Sequence, residues 1–447
     1  MFHAQKIFIL WYDFWRVPRK ALSARKQYFA DRQLKDGTKG GGVIIPFELR
    51  KLVPMASPMN IPFVDHEYSL NKGDRLLGLI RAVVRSPELR HHSLPILSRV
   101  APLMGQGPVL DPDVRHSIQF SDRSIPITLA NPIILAAGSN KTGEFISEVA
   151  NLGFGGVTVG TATRHERVGN THRPRVNLIE SDLAMHNSMG LNNPGVDVIA
   201  KRVDNQLTRA HKNGLSVGIS VAESPGIEDE EQKLEDIIET FRMSYKVADY
   251  IEVNVSCPNT GEARLDLDTR FMERMFGAIM KVRKQIPVRK AVYAKLSPDL
   301  TENQLLSVLD VLRGLEINGL VLFNTFPSDR ARYLKLNTQI ESLPVLTDAG
   351  ARGGLSGRPL YLNTFRAVEY IKNQYPDFSV IACGGIDHGA KVWDLMKLGV
   401  DAVQCYTVVA YRWFAAQQMR KELLQAIRKD GYASLPKFLE QRANETR

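Results

Sequence analysis

Eight short apolar runs, each followed by an amphipathic stretch, are the feature that most constrains the fold of this 447-residue sequence. From about Ile118 onward, each apolar run ends in Gly, Ser, Thr or Asn before the amphipathic stretch begins. Strands this apolar are typical of a parallel sheet that is covered by helices on both faces. We predict strands at residues 133–137, 156–160, 215–220, 250–255, 291–296, 319–324, 378–383 and 401–405. The predicted helices begin near Thr142, Pro194, Glu231, Thr269, Thr301, Pro359, Gly389 and Tyr411.

The number of repeats indicates the architecture. Eight strand–helix units over about 300 residues match the size of a closed (β/α)8 TIM barrel. A doubly wound open sheet uses the same units and is the alternative. Such a sheet often carries a G-x-G-x-x-G turn after its first strand, whereas residues 136–141 read Ala-Ala-Gly-Ser-Asn-Lys. The predicted fold class is therefore α/β, with a (β/α)8 barrel at residues 118–447 and an N-terminal, mainly helical extension.

The extension divides into two parts by composition. Residues 1–42 are a basic, aromatic segment ending in a glycine linker, and residues 43–117 carry two helix patterns, at 75–84 and 95–104. The first 50 residues hold ten bases and four acids, so +6 of the formal net charge of +10 lies there. Eight aromatic residues interleave with these bases in the first 30. This is typical of a helix on an anionic membrane surface. A helix packed on the barrel and an organelle transit peptide are the alternatives.

Composition excludes several classes of protein. Apolar residues make up 44% and charged residues 24%, which excludes a fully disordered or fibrous chain. Three cysteines exclude a disulfide scaffold and favour a reducing compartment. No apolar run of about 18 residues occurs, so we expect no transmembrane helix. The positive charge favours anionic partners, but it does not choose among small acids, phosphates, nucleic acid and lipid head groups.

The loops that follow the strands carry the candidate chemistry. In a parallel barrel these loops meet at one mouth, where active sites lie. They bring together Lys141, Lys295, the thiol of Cys257 and several asparagines. Asparagine side chains suit a planar heterocycle with amide edges, and a lysine suits a carboxylate. Glycines after strands six and seven, with Thr407 after strand eight, suit a phosphate. We therefore expect a phosphorylated cofactor beside a small anionic heterocycle.

Each of these residues also has a plainer interpretation. Cys257 alone would more often be an inert buried cysteine, but its polar loop favours a functional role. Lys295 interrupts an apolar strand and needs a partner, because burying a lone ammonium is costly. Cys383 and Cys405 lie within apolar strands, so we expect core residues there. No cluster of His, Cys, Asp or Glu with metal-ligand spacing occurs in the loops, so we expect no metal.

The same loops resemble those of dihydroorotate dehydrogenase, an FMN enzyme of pyrimidine synthesis built on a (β/α)8 barrel. The most specific motif is Asn-Val-Ser-Cys-Pro-Asn-Thr at residues 254–260. Further motifs follow in the family's order at residues 136–141, 169–175, 295–301, 353–360 and 406–407. The resemblance covers residues 131–411, close to two thirds of the chain. Most of it is similar to the membrane-associated, quinone-linked class 2 branch, which also carries an N-terminal extension.

The resemblance implies FMN-dependent oxidation of dihydroorotate to orotate with a quinone as electron acceptor. Cys257 falls at the position of the catalytic base. The family's FMN-contacting positions fall on Ala137, Gly138, Thr161, Asn254, Lys295, Gly357, Gly385, Tyr406 and Thr407. Its substrate-contacting positions fall on Lys141, Asn187, Asn254, Asn259, Asn324 and Thr325. In this scheme Lys141 holds the substrate carboxylate and Lys295 stabilises negative charge on the reduced flavin.

Several positions depart from the class 2 pattern. Cys257 stands where class 2 has Ser, as in the soluble class 1 branch, and residues 187–191 also resemble class 1. Ser220 stands where class 2 usually has Asn, and Phe323 stands where it usually has Thr. Two other functions therefore stay open. One is a related FMN oxidoreductase acting on another pyrimidine-like heterocycle, and the other is a non-catalytic barrel.

The resemblance also implies the partners and the location. The expected partners are dihydroorotate and orotate, a quinone and an anionic membrane surface, with no nucleic acid. The expected location is peripheral, on the cytoplasmic face of a bacterial membrane or on the mitochondrial inner membrane. A soluble cytoplasmic protein is the alternative.

Overall fold

The computed structural model describes residues 94–104, 106–172, 174–257, 265–334, 336–337 and 353–445. The basic aromatic segment, the helix predicted at 75–84 and Asn259 lie outside the described residues. The helix predicted at 95–104 is present as α1 (Leu94–Val100), which continues into a 3-10 helix at Ala101–Met104.

Eight parallel strands close into a barrel, which confirms the predicted fold class. The strands, in chain order, are β1 (His116–Ile118), β2 (Ile127–Leu129), β3 (Ile133–Leu135), β4 (Gly156–Ala162), β5 (Val176–Ile179), β6 (Ala184–Asn187), β7 (Ser216–Val221), β8 (Tyr250–Asn254), β9 (Ala291–Leu296), β10 (Gly319–Leu322), β11 (Phe326–Pro327), β12 (Gly354–Gly357), β13 (Ser379–Cys383) and β14 (Ala402–Cys405). The barrel runs β3-β4-β7-β8-β9-β10-β13-β14, and β14 pairs with β3 to close the ring. Each of these eight strands overlaps a predicted one. Their residues are buried except for half-buried Cys383, as expected for a sheet covered on both faces.

Helices follow most of the barrel strands. After α1 they are α2 (Val196–Lys212), α3 (Glu230–Val247), α4 (Thr269–Gln285), α5 (Glu302–Gly314), α6 (Tyr361–Gln374), α7 (Gly389–Leu398), α8 (Thr407–Tyr411), α9 (Ala415–Lys429) and α10 (Leu435–Glu445). The starts of α3, α4 and α5 are predicted to within one residue. Each of them begins at a side chain that caps the first turn, namely Asp229, Asp268 and Thr301. None of the helices in the described part of the chain is long and apolar enough to span a membrane.

Two predicted helix starts are wrong. No α-helix begins near Thr142, because the chain passes there through Gly143. The φ of Gly143 is 72°, which lies in the left-handed region that a right-handed helix cannot use. Only a 3-10 helix follows, at Ser147–Leu152. The last long helix of the barrel, α9, begins four residues later than predicted, because the short helix α8 comes first.

A second, antiparallel sheet is built from the long loops after β4 and β10. Its strand order is β11-β12-β6-β5. The register places Asn187 opposite Gly354, so the two loops are joined directly. The sequence pattern does not predict this sheet. Its strands are two to four residues long, and no amphipathic stretch separates β5 from β6.

The hairpin of β1 and β2 closes one end of the barrel. Ile118, Ile127 and Leu129 pack in one cluster with Tyr250 and Ala291, which are the first residues of β8 and β9. The first residues of parallel strands lie at the same edge of the sheet. The hairpin therefore covers the amino end, and the carboxyl end is the face at which a ligand can enter.

Candidate active site

A cavity of about 270 Å³ opens at the carboxyl ends of the barrel strands. This volume lies near the lower end of the range for ligand and cofactor sites, roughly 300–1,000 Å³. The predicted site residues that the structure describes all line it: Ala137, Gly138, Lys141, Thr161, Asn187, Asn254, Cys257, Lys295, Asn324, Thr325, Gly357, Gly385, Tyr406 and Thr407. Asn259 lies outside the described residues. The residues assigned to the cofactor and those assigned to the substrate thus line one cavity.

The wall of this cavity is cationic. In the part of the chain that the structure describes, its charged side chains are the cations Lys141, Lys295, Arg358 and Arg412 and the carboxylate Asp387. That carboxylate accepts a hydrogen bond from Arg358 Nε at 2.9 Å and pairs with Lys391 Nζ at 2.8 Å. Burial alone would raise the pKa of Asp387, but Lys391 and Arg358 hold it below its usual value. Among the described residues, no three His, Cys, Asp or Glu side chains come together to hold a metal ion. The wall therefore favours an anionic ligand.

Asparagine side chains at the ends of β8 and β10 form a hydrogen-bonded edge. Asn324 Nδ2 donates to Asn254 Oδ1 and to Ser256 Oγ, each at 3.2 Å. Asn254 Nδ2 in turn donates to Thr161 Oγ1 at 3.1 Å. These bonds hold the two amides in fixed orientations beside the cavity. The arrangement suits a planar ligand with both donors and acceptors on its edge.

Lys141 and Cys257 interact electrostatically in the cavity. The chief effect on Lys141 is burial, which lowers its pKa to about 8, while Cys257 raises it and Arg175 lowers it. Cys257 is half-buried and forms no disulfide. An ammonium beside a thiol favours the thiolate, which is the form that can accept a proton. The pair therefore combines a cation for a carboxylate with a thiol suited to proton transfer.

Lys295 lies at the floor of the cavity, and its ammonium group is paired with a carboxylate. Its Nζ donates to Glu252 Oε1 at 3.0 Å and to Gln404 Oε1 at 3.3 Å. This confirms the prediction that Lys295 has a partner. Burial alone would lower the pKa of Lys295, but the carboxylate of Glu252 raises it above its usual value. The ammonium is therefore protonated at neutral pH.

Glycines at the ends of β12 and β13 bring bare backbone to the cavity. Gly357 and Gly385 line it with φ values of 104° and 72°, in the left-handed region. A Cβ at Gly357 would clash with the carbonyl of Leu183, and one at Gly385 would clash with the backbone of Tyr361. Only glycine therefore fits at these two positions. Unobstructed backbone of this kind suits a phosphate group.

Some cavity residues escape prediction from the sequence. Arg358 follows the last glycine of β12, and its charge at a strand end is the signal that could have identified it. Arg412 lies between α8 and α9, where no periodicity marks it. Cys383 was expected to be a core residue, but it is half-buried and lines the cavity, because it is the last residue of β13. Cys405 is buried as expected, although it also borders the cavity.

Two of the departures from the class 2 pattern, Ser220 and Phe323, affect the cavity differently. Ser220 is fully buried, and its Oγ lies 3.0 Å from Thr161 Oγ1, so it reaches the cavity only through Thr161. Phe323 lines the cavity itself. Phe323 is therefore the substitution that changes the shape of the wall directly.

Comparison with known proteins identifies the family. Residues 122–427 match the family described as dihydroorotate dehydrogenase. The chain is 30% identical over 360 residues to "Dihydroorotate dehydrogenase (quinone)" of Rhodopseudomonas palustris, covering 78% of this chain and 94% of that protein. It is 31% identical over 333 residues to the protein of the same name from Bartonella henselae, covering 72% and 86%. The crystal structure of ligand-free DHODH from Eimeria tenella superposes with a TM-score of 0.67 and 26% identity, covering 78% of this chain and 98% of that one. The family match spans well over half of the sequence, and the chain therefore belongs to the dihydroorotate dehydrogenase family.

Proposed function

We propose that this protein is an FMN-dependent enzyme of pyrimidine biosynthesis that oxidises dihydroorotate to orotate and passes the electrons to a quinone. One observation carries the proposal. A thiol, a desolvated ammonium and oriented amides border the same cavity, and a second ammonium lies at its floor. Membership of the family supports the reaction, and the names of the relatives support the acceptor.

The chemistry of the walls fits FMN. The glycine backbones at the ends of β12 and β13, together with Arg358 and Thr407, would hold its phosphate. Lys295 would stand against the part of the ring that gains negative charge. The other residues assigned to the cofactor are Ala137, Gly138, Thr161, Asn254 and Tyr406. When bound, FMN accepts the hydride equivalent from the substrate and passes its electrons to the acceptor.

Lys141 and the amides would bind the substrate. A desolvated ammonium pairs strongly with a carboxylate, and Lys141 is the cation that interacts with the proposed base. The side chains of Asn187, Asn254, Asn324 and Thr325 would donate to ring carbonyl groups and accept from ring N–H groups. Asn259 is assigned to the same role by its sequence motif alone.

Cys257 would remove the proton from the substrate carbon. A thiol acts as a general base through its thiolate, which a neighbouring ammonium stabilises. The interaction between Lys141 and Cys257 would supply this stabilisation. The same cation would therefore orient the substrate and favour the reactive form of the base.

One part of the cavity wall is apolar, and this part supports a quinone as the acceptor. Val176, Met185 and Met189 are buried in one cluster, with Leu178 and Tyr406 packed against it. All but Leu178 also line the cavity. An apolar ring fits such a wall better than the charged acceptors fumarate or NAD would.

We further propose that the protein attaches to an anionic membrane surface, either the cytoplasmic face of a bacterial membrane or the mitochondrial inner membrane. The support is the basic aromatic segment at residues 1–42, joined through residues 43–117 to the barrel at 118–447. Each base near such a surface contributes about 1 kcal/mol. In a flotation assay, the full chain should rise with anionic vesicles, whereas a chain beginning at Val43 should not. Equal flotation of the two would remove the anchoring role from this segment.

The decisive experiment is anaerobic reduction of the purified yellow protein by dihydroorotate. We expect the flavin absorbance to bleach and then to return on addition of a short-chain quinone. FMN-loaded protein that dihydroorotate does not bleach would favour another heterocycle as substrate. Protein without flavin would favour a non-catalytic barrel. Faster return of the absorbance with fumarate or NAD than with the quinone would contradict the quinone assignment.

A further inference from the structure

An ion pair lies at the floor of the cavity, and the proposed reaction uses only one of its two residues. Glu252 lies on β8 and Lys295 on the neighbouring strand β9, and Oε1 and Nζ are 3.0 Å apart. Glu252 is 0% exposed and Lys295 is 4% exposed. Burying two opposite charges is costly, and the interior of a parallel barrel is usually filled by branched apolar side chains. A buried carboxylate at this place therefore calls for a specific role.

The pair is locked by a third side chain from β14. Gln404 Nε2 donates to Glu252 Oε2 at 2.8 Å and to Thr158 Oγ1 at 3.1 Å. Gln404 Oε1 accepts from Lys295 Nζ at 3.3 Å. Carboxylate, ammonium and amide thus form a closed triangle in which each side chain contacts the other two. Lys295 and Gln404 line the cavity, whereas Glu252 reaches it only through them.

We propose that Glu252 is a positioning residue that sets the electron affinity of the bound flavin by acting through Lys295. This inference rests on the proposed function, in which Lys295 contacts FMN. The carboxylate holds the ammonium in one place and offsets its positive charge. A flavin that gains negative charge on reduction therefore meets a nearly neutral pair instead of a full positive charge. The midpoint potential of the flavin is lower than an uncompensated lysine would make it.

The substitution Glu252→Gln tests this directly. It removes the negative charge and keeps an oxygen that can accept from Lys295. Two readouts that need no turnover are measured on the FMN-loaded protein, at about pH 6, well below the usual pKa of lysine near 10.4. They are the midpoint potential of the flavin and its affinity for sulfite, which forms an anionic adduct. We expect sulfite to bind at least tenfold more tightly, and tenfold corresponds to about 30 mV for a two-electron couple.

Two further variants separate charge from packing. Thr158→Val breaks a hydrogen bond in the same polar layer without changing its charge, so both readouts should stay at wild-type values. The double variant Glu252→Gln with Gln404→Glu moves the carboxylate across the barrel interior, from β8 to β14. A carboxylate and an amide then still face each other and Lys295. The double variant should bring both readouts back towards the wild type.

Each outcome is informative. An FMN-loaded Glu252→Gln protein with wild-type potential and sulfite affinity overturns the inference and leaves the proposed function intact. If that single variant does not fold, the double variant decides. Wild-type readouts there support the inference, and a change of tenfold or more overturns it. A wild-type protein that neither contains FMN nor takes it up would overturn the proposed function and this inference with it.

Discussion

The two ends of the barrel are formed by the same eight strands, yet Asp122 at one end and Lys141 at the other meet opposite electrostatic environments. At the amino end, in the loop that joins β1 to β2, the fold stabilises the ionised form of Asp122 and lowers its pKa to about 2. At the carboxyl end, burial destabilises the ionised form of Lys141 and lowers its pKa to about 8. A buried group whose charged form the folded chain does not stabilise is a candidate binding site for a ligand of opposite charge. Stability and chemistry are therefore separated along the strand direction.

A buried arginine joins Asp122 and Ser124 into one cluster at the amino end. Arg283 is 3% exposed, and its Nη2 donates to Asp122 Oδ2 at 2.6 Å and to Ser124 Oγ at 2.5 Å. Its Nε donates to the carbonyl of Lys290 at 2.9 Å. Burial raises the pKa of Asp122, but hydrogen bonds from Ser124 and Arg283 outweigh it. This cluster ties the segment before β2 to α4 and to the start of β9.

The largest expected effect is at the carboxyl end, from Cys257→Ala. We expect the variant to keep FMN and to be reduced by dihydroorotate about 1,000-fold more slowly, since general bases contribute roughly 10²–10⁴-fold. Stopped-flow bleaching of the flavin measures the rate. Cys257→Ser should lose less, and most of its activity should return at high pH.

Cys383→Ala is the matched control for this prediction. Cys383 is also half-buried and also lines the cavity, but burial raises the pKa of its thiol, so it stays protonated. Its loss should leave the rate of flavin reduction nearly unchanged. If Cys257→Ala were reduced at the wild-type rate, or if the Cys383 variant were the slow one, the base would be misassigned.

The second prediction moves to the amino end. Arg283→Met should lower the free energy of unfolding by about 3 kcal/mol, because it leaves Asp122 without its buried partner. Urea denaturation measures the loss. Flavin reduction by dihydroorotate should keep its wild-type rate at a temperature where the variant is folded. A variant that is as stable as the wild type but slow in reduction would break the separation between the two ends.

The third prediction uses the pKa of Lys141. Only the ammonium form binds a carboxylate well, so orotate affinity should be constant below about pH 7. Above the pKa of about 8, the affinity should fall with rising pH, approaching tenfold per unit. Titration of the flavin spectrum with orotate measures it. Lys141→Ala should weaken binding at neutral pH by about 2–5 kcal/mol and abolish this dependence.

Cys257 interacts electrostatically with Lys141, so a control is required for the third prediction. In Cys257→Ser the thiol is gone and Lys141 remains. The fall in orotate affinity near pH 8 should therefore persist in that variant. If the fall disappeared in that variant, the group that controls the pH dependence would be Cys257 and not Lys141.

Local pattern was enough to predict the barrel and most of the mouth, because apolar runs and the polar residues that end them are neighbours in the sequence. Local pattern was not enough to predict the partner of Lys295. Glu252 belongs to a run read as an apolar strand, and which of its residues faces Lys295 depends on the register in which β8 and β9 pair. A lone acid in one apolar strand and a lone base in the next is a signal that could have suggested the pair.

The rest of the site depends on contacts between distant segments. Asn187 is held by the carbonyl of Gly354 at 3.3 Å, across the antiparallel sheet. Neither loop is periodic, and the pairing exists only because the barrel brings the ends of β4 and β10 to one face. The loop at Gly143 is held by the side chain of Gln206, whose Nε2 donates to its carbonyl at 2.8 Å. Such long-range hydrogen bonds override the helix pattern that follows the first strand.

The smallest expected effect returns to the amino end and concerns His211. Its Nε2 lies 3.0 Å from Asp249 Oδ2, and the side chains are 47% and 24% exposed. The hydrogen bond to Asp249 is the main reason that the pKa of His211 is raised above its usual value of 6.5. Because the folded-state pKa is the higher one, this pair stabilises the fold fully below about pH 6.5, and the contribution is lost as pH rises through the folded-state pKa.

His211→Asn should therefore lower the free energy of unfolding at about pH 5.5 by less than about 1 kcal/mol, since the pair is half-exposed. The difference from the wild type should shrink towards zero as the pH rises through the folded-state pKa, while flavin reduction is unaffected throughout. A difference that grows with pH, or a rate of flavin reduction that follows the titration of His211, would show that this end of the barrel is coupled to the chemistry after all.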